Sequence, residues 1–256
     1  MKAVVLGCGG AAGVPSISGG WGACDPSNPK NRRRRPSILV EHEGTRILVD
    51  ASPDLRAQLL DAAVRQLDAV LFTHDHADHL HGIDDLREVN RAMGGALDIH
   101  ATADVLATIG QRFGYTLEPL PPGATSIFKP VLVPHEITGQ FQVGSIDVVP
   151  FDQDHGYGRT TGFRFGSLAY STDAVGLPDE AFAALQGVDV WIVGCLTDHE
   201  HPTHAHLDKA LSWIDRVKPR RAILTHMAAR LDFDALAARL PAHVEPGFDG
   251  LVVHAG

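Results

Sequence analysis

The chain has 256 residues, 44% of them hydrophobic and 21% charged, with a formal net charge of −9. That is a globular composition, long enough to bury a substantial core. The acidic balance excludes a general nucleic-acid binder, which needs clustered Lys and Arg, and no apolar run approaches the ~20 residues that span a bilayer.

Three cysteines, Cys8, Cys24 and Cys195, are an odd count at wide spacings. They make a poor disulfide framework, and the start MKAVVLGCGGAAGVP lacks the basic and apolar stretches of a secretory signal. One cytoplasmic domain over residues 1–256, without a membrane partner, is the expectation.

In chain order, KAVVLG, SILVEH and TRILVDA read as buried strands, rich in Val, Ile and Leu and bounded by Gly or polar turns. GCGGAAG after the first strand imitates a dinucleotide fingerprint, but Pro15 and Gly19-Gly20 follow where a helix should. Glycine there is read instead as letting a loop pass close to a site. Ser52-Pro53-Asp54 opens a helix over LRAQLLDAAVRQL, and LDAVLF is a strand running straight into THDHADHLHG. HLHGIDDLREVNRAM predicts one helix ending at Gly94-Gly95. LDIHA predicts a strand, and TADVLATIGQRFG a helix opening at Thr102 and closing at Gly114.

From Pro119 to about Gly166 the pattern shows only short β-like runs, VLVPHEI, FQVGSIDVVPF and TGFRFG. Strands and helices then alternate again: SLAYSTD and PDEAFAALQ, VDVWIVGC and LDKALSWIDRVK, RRAILTHM and DFDALAARL, and a last strand GLVVHA. Strands and helices in both halves, around a β-rich middle, favour a layered α/β body with helices outside.

The stretch LFTHDHADHLHG carries the chemistry. His74 and His76 follow a strand at i and i+2, so both side chains leave one face of extended chain. Asp78 and His79 come where the backbone turns into a helix, and adjacent residues there point in different directions, so that they could serve a second centre. A solvated polar loop is the alternative, but unneutralised crowding of this kind gains nothing for stability. Imidazole with carboxylate suits divalent ions such as Zn, Mn or Fe better than Ca or Mg.

HDHADH resembles the HxHxDH signature of the metallo-β-lactamase superfamily, and later motifs follow in the family's order. DQDHG supplies His155, YSTD supplies Asp173 and ILTHM supplies His226, each just past a predicted strand. The resemblance implies an αββα sandwich, two packed mixed sheets flanked by helices. It implies that His74, His76 and His155 hold one metal and Asp78, His79 and His226 a second, with Asp173 between them. Two cations about 3.5–4 Å apart would share a water, lower its pKa and clamp the oxygens of an in-line displacement at phosphorus. His81 fits no ligand position and is read as a helix residue beside the site.

Within that superfamily, HPTHAHLDKAL (residues 201–211) resembles the H-x-x-L region of the PhnP cyclic phosphodiesterases. The match makes Asp78 and His204 the catalytic residues, with His204 the general acid for the leaving oxygen. His199, His201 and His206 compete for that role. GVPSISGGWGACDPSNPKNRRRRPS resembles the same group, whose loop commonly holds a structural zinc through three cysteines and a later histidine. Here only Cys24 fills a cysteine position and Ala229 stands where the histidine would fall. One thiolate cannot close a tetrahedral site, so this zinc is expected to be absent and Trp21 packing to hold the loop.

Transfer-RNA 3′-end nucleases are relatives in mechanism that grip tRNA with a long basic arm, but GYGRTTGFRFGSLAYST between His155 and Asp173 is too short for one. The expected substrate is a small linear or cyclic phosphodiester, nucleotide- or ribose-derived, with two divalent metals, Zn or Mn, as cofactor. No large nucleic acid is expected, and a homodimer is implied by the resemblance. The alternatives are a non-catalytic carrier on the same fold, or a thioester or lactone hydrolase. Cys195 reads as a small core residue. Arg32 to Arg35 read as a solvated face, a clamp on acidic neighbours, a subunit contact or a phosphate contact, and Arg159 and Arg164 have no assignable role.

Overall fold

The computed structural model describes residues 1–256. Its first sheet contains β1 (Lys2–Gly7), β2 (Ser37–His42), β3 (Thr45–Val49), β4 (Ala69–Leu71), β5 (Leu97–Ala101), β6 (Leu132–Glu136) and β14 (Val252–His254), in the order β14-β1-β2-β3-β4-β5-β6. The second contains β7 (Phe141–Val143), β8 (Ile146–Asp154), β9 (Arg159–Phe165), β10 (Leu168–Ser171), β11 (Val190–Gly194), β12 (Arg221–Thr225) and β13 (Val244–Pro246), in the order β13-β12-β11-β10-β9-β8-β7.

Alternation along the strands explains their unbroken apolar runs. Ala3, Val5, Ile38, Val40, Ile47 and Val49 point into a core shared with the second sheet. Val4, Leu6, Leu39 and Leu48 point the other way, under α1 (Leu55–Asp61), α3 (Leu86–Met93) and α4 (Ala103–Phe113). Strands covered on both faces need apolar residues at every position. On the far side, α5 (Asp179–Leu185), α6 (Leu207–Val217) and α7 (Phe233–Ala237) cover the second sheet. The result is the helix–sheet–sheet–helix sandwich anticipated from the sequence.

One expected helix is broken. HLHGIDDLREVNRAM becomes α2 (Ala77–Leu80), a 3-10 turn over Ile83–Asp85, and then α3. The break falls at Gly82, where a Cβ would meet the Ser52 carbonyl oxygen. The chain must turn there to pass the loop after β3.

Strand direction gathers the polar loops. β1 and β3 run the same way because each pairs antiparallel with β2, and β4 and β5 are parallel to β3. β8 and β10 likewise share a direction, with β11 and β12 parallel to them. The loops leaving β1, β3 and β4 are brought against those leaving β8, β10 and β12, for instance by the Gly9–Met227 bridge.

Candidate metal centre

Each residue of the centre sits immediately past a strand. His74 and His76 follow β4, and Asp78 and His79 open α2; His155 follows β8, Asp173 follows β10 and His226 follows β12. The seven residues form two groups, His74, His76, His155 and Asp173, and Asp78, His79, Asp173 and His226, with donor atoms in each group within 4.8 Å of one another. Asp173 belongs to both. Its Oδ1 lies 3.2 Å from His79 Nε2 and 3.2 Å from His226 Nε2, and its Oδ2 lies 3.8 Å from His74 Nε2. Asp78 Oδ2 lies 3.2 Å from His79 Nε2 and 3.4 Å from His226 Nε2.

The imidazoles are held from behind. His79 Nδ1 donates to Asp50 Oδ2 at 2.6 Å, and His155 Nδ1 donates to the Thr203 carbonyl at 2.8 Å. Thr73 Oγ1 donates to Asp50 at 2.9 Å and accepts from His74 Nδ1 at 2.9 Å. With Nδ1 protonated and engaged, each ring turns a bare Nε2 toward the centre, the tautomer a metal requires.

Two observations test whether a cation fits. His74 Nε2 and His79 Nε2 are buried and make no hydrogen bond, although His79 Nε2 stands 3.2 Å from two carboxylates, misaligned with both. Buried orphan nitrogens in native proteins call for a partner. Asp50, Asp78 and Asp173 also bring three carboxylates into one buried cluster, where isolated negative charge is costly. A divalent cation answers both, and the imidazole and carboxylate donors are those such ions take.

Charge coupling follows this geometry. Burial works to raise Asp173, but the His226 and His79 charges hold it well below the usual carboxylate range. Burial first, then the His79 charge, drives His74 well below its ordinary value. Backbone strain concentrates here too: Asp50, Asp173 and His226 have φ of 65°, 50° and 57°. Left-handed conformations in such residues cost about 1 kcal/mol or more each and are kept where their surroundings over-determine them.

Among the four histidines of residues 199–206, His204 alone reaches the cluster. Its Nε2 lies 3.0 Å from Asp173 Oδ2, and its ring stacks on His226 with centroids 5.0 Å apart. His201 stands behind it, with ring centroids 5.0 Å away. His199 pairs with Asp198, and His206 stands at the residue before α6 with no side-chain bond to the helix. His81 lies outside the donor groups, exposed and edge-on to Phe113 at 5.4 Å.

A beta-lactamase superfamily domain model matches residues 45–227. The chain belongs to this superfamily. A solved structure of a diphosphatase from the PhnP family is 31% identical, with TM-score 0.90 over 99% of this chain and 97% of that one, so the membership extends to the PhnP branch. A protein named octanoyltransferase from Porphyromonas gingivalis is 33% identical over 98% of this chain, which spans 51% of that protein's length. A ribonuclease Z from Bradyrhizobium is 38% identical over 86 residues, 33% of this chain and 26% of that one.

Some residues escaped the sequence reading. Asp50 falls inside the expected strand TRILVDA with no role assigned to it, and its place directly after β3, beside the strand that feeds His74, was the available signal. The loop after β1 corrects an expectation: Trp21 is only half-buried, with the Arg32 guanidinium 5.1 Å from its ring. The fastener is Arg33, 2% exposed, which donates to the carbonyls of Leu231 (2.6 Å) and Ala228 (3.3 Å) and to Asn31 Oδ1 (3.3 Å). Asn31 in turn donates to Asp232 at 2.6 Å, and Cys24 Sγ approaches the Ala229 and Leu231 carbonyls at 3.5 Å. A cationic fork thus occupies the crossing of loop and strand end.

The neighbouring arginines clamp acids: Arg34 meets Asp61 at 2.6 Å and Arg35 meets Asp54 at 3.0 Å. Arg159 pairs with Asp152, and Arg164 donates to the carbonyls of Gly166, Ala184 and Gln186. Cys195 is fully buried in the core.

Proposed function

We propose that this protein hydrolyses small linear or cyclic phosphodiesters at the His/Asp centre, as a metal-dependent phosphoric diester hydrolase. The observation that carries the reading is Asp173, shared between two donor groups and contacted on its outer oxygen by His204. Two divalent ions, zinc or manganese, held by His74, His76, His155, Asp173, Asp78, His79 and His226 would acidify a shared water and polarise the phosphoryl oxygens. Asp78 lines the same space and orients the attacking water through its carboxylate. His204 protonates the departing alcohol oxygen, because an alkoxide is a poor leaving group without a proton. Thr203 Oγ1, 2.8 Å from His204 Nδ1, fixes the ring for that transfer.

The similarity to a PhnP-family diphosphatase supports phosphorus as the reacting atom. The substrate is taken as small, with no large nucleic acid as partner, the chain as a homodimer, and the compartment as the cytoplasm, in keeping with three buried free thiols. A second reading, hydrolysis of an acyl thioester, draws on the relative named octanoyltransferase. The experiment is turnover by the Mn- or Zn-loaded protein of bis(p-nitrophenyl) phosphate, 2′,3′- and 1,2-cyclic ribose phosphates, and octanoyl thioesters. Turnover of the thioesters alone would overturn the first reading.

A further inference from the structure

Ile17 and Tyr157 are by far the most exposed large apolar side chains, at 108% and 92%, against 62% for the next. An isolated exposed apolar residue is ordinary, but Tyr157 has a specific position. It lies two residues beyond His155, at the tip between β8 and β9, on the end of the sandwich where the metal-binding side chains gather. The tip is tied down: His155 N–H donates to the Gly158 carbonyl at 3.0 Å, Tyr157 N–H to the His155 carbonyl at 3.0 Å, and Gly156 N–H to Asp154 Oδ1 at 2.8 Å. Gly156 has φ of 79°, and a Cβ there would press on the Pro202 carbonyl oxygen at 2.6 Å, so the tip is seated against the segment that carries His204. A rigid tip holding an unburied aromatic ring pre-arranges a contact surface.

Tyr157 also lines a hollow of about 820 Å³ with Leu177 and Pro178, between the tip and the segment that leaves Asp173. Asp152, Asp154 and Glu180 line it as well, against a single cation, Arg159, already paired with Asp152 at 3.0 Å. That charge repels a second phosphate. Carboxylate acceptors beside an aromatic ring suit a neutral heterocycle with N–H donors.

We infer that Tyr157 and this hollow form the subsite for a neutral aromatic ester group of the nucleobase class, on a phosphodiester whose phosphorus sits at the His/Asp centre. The inference rests on the phosphodiesterase reading above and gives its substrate a chemical class. Tyr157 acts as a stacking platform that sets specificity and takes no part in bond breaking.

The test compares two substrates with one leaving group, the p-nitrophenyl ester of adenosine 5′-monophosphate and methyl p-nitrophenyl phosphate. Tyr157→Ala, harmless to the fold at so exposed a site, should raise KM for the adenosine ester about 10-fold, within the range for loss of one base–aromatic stack. It should leave kcat and the methyl ester unchanged. Tyr157→Phe should restore the preference, and Ile17→Ala, at the same end but outside the hollow, should not alter it.

Calorimetry with adenosine 5′-monophosphate against ribose 5-phosphate on the metal-loaded protein reads the same preference without turnover. Equal binding of the two by the wild type, equal losses on both substrates in Tyr157→Ala, or no rescue by Phe overturns the inference. Should neither ester be cleaved while the binding preference exists and disappears in Tyr157→Ala, the phosphodiesterase reading fails and the subsite stands.

Discussion

His79 Nδ1 lies 2.6 Å from Asp50 Oδ2, and neither side chain has any exposed surface. The carboxylate also accepts from Thr73 N at 2.8 Å and from Thr73 Oγ1, so one residue orients His79 directly and His74 through the threonine. Asp50 contributes to neither donor group, yet it sets the direction of two of the four histidines that follow β4.

Asp50→Ala should therefore weaken metal binding about 10–100-fold, the usual effect of losing a carboxylate behind a metal-bound imidazole. It should also destabilise the fold by about 3 kcal/mol, because His79 Nδ1 and Thr73 N lose their acceptor in a buried site. Competition titration with a chromophoric chelator measures the first effect and denaturant unfolding the second. Unchanged affinity would remove Asp50 from the account.

His204 gives a leaving-group prediction. His204→Ala should lower kcat about 10²–10⁴-fold on phosphodiesters with alkyl leaving groups, the usual contribution of a general acid. p-Nitrophenyl esters, whose leaving group departs without a proton, should be nearly unaffected. Equal losses on both classes would mean that His204 serves only to hold Asp173.

The Arg33 knot predicts where the loop after β1 is weakest. Arg33→Met takes the buried charged donor away from the Leu231, Ala228 and Asn31 oxygens, at a cost of about 3 kcal/mol. Trp21→Ala, at a half-buried site, should cost about 1 kcal/mol. Urea unfolding of the two variants checks the order, and a reversal would return the loop's anchorage to Trp21.

A second histidine cluster predicts acid sensitivity away from the metal centre. His100 stacks between His135 and Phe141, at centroid distances of 4.8 and 4.6 Å, and Asp98 faces His135 at 3.1 Å. Burial, then the His135 charge, lowers His100 to about 4. A depressed pKa means that the folded state resists protonation, so this contribution to stability is full above pH 6.5 and is lost as pH falls through 4. His100→Phe should flatten the decline in unfolding midpoint between pH 6.5 and 4. An NMR titration of His100 with a midpoint near 6.5 would contradict this.

Much of the architecture was legible because two-sided burial writes itself into sequence: strands such as KAVVLG and RRAILT are apolar at nearly every position. The seven residues that converge in the candidate centre were legible as a group because their motifs sit directly after such strands. What escaped depended on partners remote in sequence. Arg33 looked like one of four interchangeable cations, and only packing against residues 228–231 separates it from its neighbours. Asp50 carries no local pattern, since its role is created by β3 and β4 lying side by side. The break at Gly82 was hidden because helical apolar spacing continues across it, while the close approach of Ser52 is tertiary.

The most direct test of the whole account is diffraction from crystals of the zinc-loaded protein at the zinc absorption edge. The account predicts two anomalous peaks per chain, one among His74, His76, His155 and Asp173 and one among Asp78, His79, Asp173 and His226. Absence of any peak in that cluster, with zinc present in the crystal, would contradict it.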